Sequence, residues 1–107
     1  MKLSELEPQF MKVVTAKRFQ NVDTIEEADG VMFLCPKCFK ENGGPVGTHR
    51  VLCWRPRVSQ EIPPTPGRWE FKGTGYDDLT LVAGSSSIFL TGEGCGAHFF
   101  VKNGEIV

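Results

Sequence analysis

Two short hooks constrain this 107-residue chain more than anything else in it: Cys35-Pro36-Lys37-Cys38 in the first half and Cys95-Gly96-Ala97-His98 near the end. Each hook sets two metal-ligating side chains two residues apart, so a tight turn between them aims both at one ion. Together they supply three thiolates and one imidazole, the donor set of a closed tetrahedral zinc site. Pro36 stiffens the first turn and Gly96 relaxes the second. A Cys-x-x-Cys pair alone also reads as a redox motif, and the distant Cys-x-x-His turns the balance toward metal. The sequence therefore predicts one structural Zn²⁺ held by Cys35, Cys38, Cys95 and His98.

Cys53 and His49 are the remaining soft donors. A four-thiolate set of Cys35, Cys38, Cys53 and Cys95 would also close a site, but two paired hooks order less chain than one hook and two separate ligands. Cys53, between Leu52 and Trp54, reads as a small buried apolar residue. His49 reads as a hydrogen-bonded histidine near the surface, or as a partner to a metal ligand.

Catalytic constellations fare less well. A closed Cys₃His site has no open position for water. A deaminase-type zinc centre needs a His/Cys-x-Glu hook that the chain lacks. A Cys53/His49 nucleophile pair is separated by the rise of an extended strand. Ser85-Ser86-Ser87 has no G-x-S-x-G frame, and no P-loop, dinucleotide fingerprint or EF-hand loop is present. These absences favour a binding module over chemistry, with a zinc or thiol hydrolase as the enzyme alternative.

Length fits one domain with a modest core that a metal clip would reinforce. Residues 1–30 read as an N-terminal extension and residues 31–107 as the zinc-stapled core. Hydrophobic residues make up 40%, with eight Phe and two Trp, which excludes a disordered chain. Net charge is −1, so the whole chain is not built for nucleic acid. Residues 35–72 nevertheless carry +4 (Lys37, Lys40, Arg50, Arg55, Arg57, Arg68 and Lys72 against three Glu), while the flanks carry −2 and −3. Such a segment reads first as a solvated face, and second as a nucleic-acid surface with Trp54, Trp69, Phe99 and Phe100 as stacking platforms. Residues 1–10 show no apolar signal region and no run approaches the ~18 apolar residues of a membrane span, so a cytoplasmic address is expected and membrane partners are not.

Along the chain, Ser4 and Glu7 have capping-box spacing ahead of Pro8, and a short helical turn is expected there. Thr24 and Glu27 repeat that spacing before Gly30, which predicts one or two helical turns ending in a glycine cap. Strands are expected over residues 10–15, 31–34, 48–55, 68–72, 79–82, 86–90, 98–101 and 105–107. In the third of these, His49, Val51 and Cys53 share one face, and Arg50, Leu52 and Trp54 the other. Residues 41–45 read as a turn, the proline-rich residues 61–67 as an extended loop, the glycine-rich residues 92–96 as a turn, and Asn103-Gly104 as a two-residue hairpin turn. About eight short strands with at most one or two short helices make an all-β or β-rich antiparallel domain.

Cys35-x-x-Cys38, His49, Trp69, Leu79-Thr80-Leu81, Ser87-Ile88, Cys95-x-x-His98-Phe99-Phe100-Val101 and Gly104-Glu105-Ile106 stand in an order that resembles an uncharacterised family of small zinc-binding domains. That family occurs in phages and bacteria, where some members lie beside or are fused to ubiquitin-like proteins in conjugation-type operons. The resemblance covers about residues 31–107. It departs at Ala83-Gly84-Ser85, where a proline is more usual, and at Phe39, where a glycine is. The resemblance implies a metal role for Cys35, Cys38, Cys95 and His98, a phage or mobile-element origin, and the host cytoplasm as location. It brings no activity with it. The reading that follows is a zinc-stapled adaptor with a protein partner, the alternative a zinc-ribbon-like nucleic-acid binder using residues 37–72.

Overall fold

Alternation of apolar side chains builds the main sheet, and glycines and polar turns mark its corners. The computed structural model describes residues 1–63, 68–82, 88–89 and 98–107, and at Ile88, Phe89 and His98 it describes the backbone alone. Its strands are β1 (Gln9–Thr15), β2 (Arg18–Val22), β3 (Gly30–Leu34), β4 (Arg50–Trp54), β5 (Glu70–Lys72), β6 (Thr80–Val82), β7 (Ile88–Phe89), β8 (His98–Phe99), β9 (Val101–Lys102) and β10 (Glu105–Ile106). A 3-10 turn spans Leu3–Leu6, and α1 spans Pro36–Asn42 between β3 and β4. The chain is β-rich, as its sequence predicts. β1 to β4 form an antiparallel sheet in the order β2-β1-β3-β4, and β5-β6, β7-β8 and β9-β10 form two-stranded antiparallel ladders.

The pleat of the sheet sorts its side chains into two cores. Phe10, Val31, Phe33, Val51 and Cys53 face one side, where they pack with Leu3, Leu6, Ile25, Ala28, Leu79, Leu81, Phe99 and Val101. Met11 and Trp54 face the other, closed by Val58 and Ile62 with Met32 and Leu52 packed alongside. The alternation expected across residues 48–55 is therefore the one observed. Trp54 is wholly buried, its indole N–H donating to the Pro63 carbonyl at 3.0 Å and Phe19 meeting it edge-on at 5.1 Å. Residues 1–30 supply half of the strands of this sheet and Leu3, Leu6, Phe10, Ile25 and Ala28 to the larger core.

Several local expectations need correction. Thr24 and Glu27 do form their box, with Glu27 N–H donating to Thr24 Oγ1 at 3.4 Å, but they close a hydrogen-bonded turn rather than a helix. The Asp29 N–H bonds Met11 O at 2.8 Å, and that ladder contact draws the chain straight into β3. Gly30 is no helix cap but the first residue of β3. The turn expected over residues 4–7 forms one residue earlier, with no side-chain cap. The strand expected over residues 98–101 is two, because the chain changes partner at Phe100: Phe99 pairs with Ile88, and Val101 with Ile106. The Asn103-Gly104 turn is as expected, with φ of 50° and 72°. Residues 64–67 of the proline-rich loop, residues 86, 87 and 90 of the sixth expected strand, and the glycine-rich turn at 92–96 lie outside the described residues.

The ends of the described chain are knitted together. Lys2 bridges Glu105, the Leu3 N–H reaches Gly104 O at 2.8 Å, and the Ile106 N–H reaches Met1 O at 2.8 Å. The β9-β10 turn docks on the loop before β6, where Gly104 leaves no room for a Cβ against Asp77 O. That loop is held by the Asp78 carboxylate, which accepts the Thr74 and Gly75 N–H groups and the Thr74 hydroxyl. Those bonds hold its carboxyl below the usual carboxylate range.

Gly30 stands opposite Trp54 in the β3-β4 ladder, where a Cβ would run into the indole ring and lie 2.8 Å from Cys53 O. Gly30→Ala is expected to destabilise the chain by about 1–3 kcal/mol through this overpacking. Urea unfolding followed by tryptophan fluorescence measures it, and an unchanged midpoint would contradict the packing described.

Candidate metal centre

Cys35, the residue after β3, has extended backbone (φ −59°, ψ 122°) and starts α1 with Pro36 at the first helical position. The fixed φ of proline suits that position, and its missing N–H costs nothing there. Cys38 follows one helical turn later and is half-buried, while Cys35 is wholly buried. The helix stops at Gly43, in the left-handed region at φ 69°. The Gly44 N–H bonds Phe39 O at 3.0 Å and the Gly43 N–H bonds Lys40 O at 3.4 Å, a Schellman motif. Thr48 turns the chain back, donating its hydroxyl to Gly44 O at 2.8 Å.

His49 then falls opposite Cys35. The β3-β4 register pairs Leu34 with Arg50, and the Cys35 N–H donates to His49 O at 2.9 Å, which extends the ladder one step beyond the named strands. Residues directly opposite in such a ladder have Cβ atoms about 4.5–5.5 Å apart. The outcome is a compact group: Cys35 Sγ, Cys38 Sγ and a ring nitrogen of His49 all lie within 4.8 Å of one another. Around a tetrahedral zinc, with Zn–S near 2.3 Å and Zn–N near 2.0 Å, such atoms stand about 3.6–3.8 Å apart. Rotamer adjustments of about 1 Å would bring these three to coordination distance. This group of two thiols and an imidazole could hold a metal ion, with Cys35 at its buried side and His49 at its exposed side.

Of the four ligands expected from the sequence, the structure thus brings Cys35 and Cys38 together. Cys95 lies outside the described residues, and of His98 the backbone is described, paired with Phe89. The ring of the next residue, Phe99, meets Phe33 edge-on at 6.1 Å, two residues before Cys35. His49 is the donor that the sequence reading ranked below the hooks. Its signal was available: hairpin pairing of residues 31–34 with the strand beginning near residue 50 sets His49 against Cys35.

Cys53 belongs elsewhere. It pairs with Val31 in the sheet and is sealed in the larger core, where burial pushes its thiol far above the ordinary range. A thiol so held is a packing group and not a nucleophile.

The arginines of the basic middle segment bond to groups of their own chain, Arg50 and Arg57 at the surface. Arg55 donates to the carbonyls of Ala28 and Ile25 and lies 4.6 Å over the Phe71 ring. Arg57 bonds Ala28 O at 2.9 Å and pairs with Asp29, also at 2.9 Å. Arg68 gathers the carbonyls of Val58, Ser59 and Ile62, and Arg50 pairs with Glu7 at 3.4 Å. Trp54 and Phe99 are core residues, and Trp69 packs half-buried against the larger core.

No helix among the described residues is long and apolar enough to cross a membrane. Compared with known proteins, the chain matches no family model, no curated sequence and no solved structure.

Cys53→Ser sets a hydroxyl into an apolar core and is expected to cost about 1–3 kcal/mol of stability. Metal affinity should stay at the wild-type value, because Cys53 lies apart from the Cys35, Cys38 and His49 group. Urea unfolding and a metal titration of the same variant check both halves, and a loss of affinity would place Cys53 in the centre.

Proposed function

We propose that this chain is a zinc-stapled binding module, in which the ion ties the loop between β3 and β4 to the chain that follows β7. The observation that carries the reading is the convergence of Cys35, Cys38 and His49 within 4.8 Å. Two thiolates and an imidazole suit Zn²⁺ better than hard cations, which prefer carboxylates and carbonyls. Cys95 of the second hook, named by its spacing in the sequence, would be the third thiolate. Of the two imidazoles, His49 is the one within reach of Cys35 and Cys38, and His98 is the one that the hook spacing names; we assign the position to His49. The Phe99–Phe33 contact supports the approach of the second hook to the first. The resemblance to small zinc-binding domains rests on the same cysteines and on the His98-Phe99-Phe100 run.

The ion would supply structural cross-linking: donors from three separate segments of the chain held at one point, worth several kcal/mol of folding free energy. The purified chain should contain one zinc per chain. Chelation should lower its thermal midpoint by more than about 10 °C, given the ~4–8 °C per kcal/mol of a domain this size. His49→Ala should weaken metal binding at least about tenfold, as second-sphere changes alone reach that size, with His98→Ala weaker in effect. A metal-free chain with an unchanged midpoint would overturn the reading.

A protein partner is preferred here to nucleic acid, because Arg50, Arg55, Arg57 and Arg68 bind carboxylates and carbonyls of their own chain, which leaves Lys37, Lys40 and Lys72 as the exposed lysines of the basic segment. A phosphate-binding face needs cations turned outward, and its affinity falls steeply with salt. Single- and double-stranded DNA and RNA probes at about 50 mM salt should therefore show no binding. A shift that disappears by about 200 mM salt would favour nucleic acid instead.

A further inference from the structure

We infer that Cys35 and Cys38 form a reversible oxidation site, whose disulfide state and metal-bound state exclude each other; the inference rests on the zinc reading above. Cys35 and Cys38 flank the first turn of α1, and residues three apart on such a turn have Cα atoms about 5 Å apart. A disulfide requires Cα atoms within about 4.4–6.8 Å, so this pair closes without moving β3. Their sulfurs already lie within 4.8 Å of each other. Of the three described thiols, Cys53 pairs with Val31, four residues before Cys35, and lies outside the group that Cys35 and Cys38 form with His49.

The two sulfurs differ in access, and that sets the order of events. Cys38 is half-buried and Cys35 wholly buried. Hydrogen peroxide therefore meets Cys38 first. Its thiolate attacks the peroxide O–O bond, giving a sulfenic acid and one hydroxide. The Cys35 thiolate then attacks the Cys38 sulfur, forming the S–S bond and releasing a second hydroxide. Two thiolates have lost two electrons, and one peroxide has taken them up. Neither sulfur retains the charge that binds the ion, so two of its four donors are withdrawn at once, and the remaining pair, His49 and Cys95, is too few to hold it. A small-molecule dithiol reverses the step by exchange, becoming a disulfide itself and restoring both thiolates.

The test uses the full-length, zinc-loaded chain treated with hydrogen peroxide. Metal release is followed with a chromogenic chelator, and disulfides are mapped by mass spectrometry on unreduced peptides. One zinc should leave for each Cys35–Cys38 disulfide formed, and dithiothreitol with added zinc should restore the starting state. Cys53→Ala should release zinc at the wild-type rate, and Cys38→Ser should lose the fast, one-for-one coupling of zinc release to disulfide formation. Release accompanied by sulfinic acids, or by a disulfide joining Cys38 to Cys95, would overturn the inference. So would full retention of zinc with every thiol still alkylatable. A chain that carries no zinc under reducing conditions counts against the zinc reading alone; the same peptide map on that metal-free chain then decides whether Cys35 and Cys38 pair.

Discussion

Pairing of β3 with β4, in the register that sets Val31 against Cys53 and Leu34 against Arg50, governs both the core and the metal centre. Side chains alternate along each strand, so a slip of one residue would turn Val51 and Cys53 out of the larger core and Trp54 out of the smaller one. The same slip would move His49 away from Cys35. Gly30 pins the register from one end, because only a residue without a side chain fits against the Trp54 ring. The Cys35 N–H bond to His49 O pins it from the other. A metal held by Cys35, Cys38 and His49 would thus lock a ladder that packing has already specified.

Arginine acts in this fold mainly as a cap for carbonyls. The turn over residues 24–28 and the segment over residues 58–62 form no regular ladder, and their carbonyl groups still need donors. Arg55, Arg57 and Arg68 provide them, with several N–H groups fixed in one plane to reach several acceptors at once. Part of the net positive charge of residues 35–72 is therefore scaffolding for loops. Segment charge alone could not reveal this, since a guanidinium bonded to a carbonyl and one facing phosphate look alike in sequence.

Legibility varied with how strongly one face of each element is buried. β1, β3 and β4 carry clear apolar patterns and were expected with nearly their observed bounds. β2 was missed because it is an edge strand, held by its ladder to β1; only Phe19 and Val22 are partly covered, three residues apart, which is no strand period. Helix α1 goes unread in the sequence although its punctuation is plain, with proline at its first position and the Gly43-Gly44 pair after it, because a two-ligand hook and a first helical turn share the same three-residue spacing. At the site, the hooks were legible because ligand spacing within one turn is local. The membership of His49 was not, because it arises from strand pairing across an intervening helix and loop.

The joining of the first and last residues bears on how the chain acquires its fold. The bonds from Leu3 to Gly104 and from Ile106 to Met1 span roughly a hundred residues, and loops that long close slowly because chain entropy must be lost before the contact is gained. The β1-β2 hairpin turns over Ala16 and Lys17, and β3 reaches β4 through the single local segment that holds α1, so both pairings form early on this argument. The 3-10 turn that carries Leu3 and Leu6 gains its C-terminal partner only once β9 and β10 are in place. Closure of the larger core is therefore a late event, and until it happens the apolar face of the main sheet stays open to solvent and to other chains.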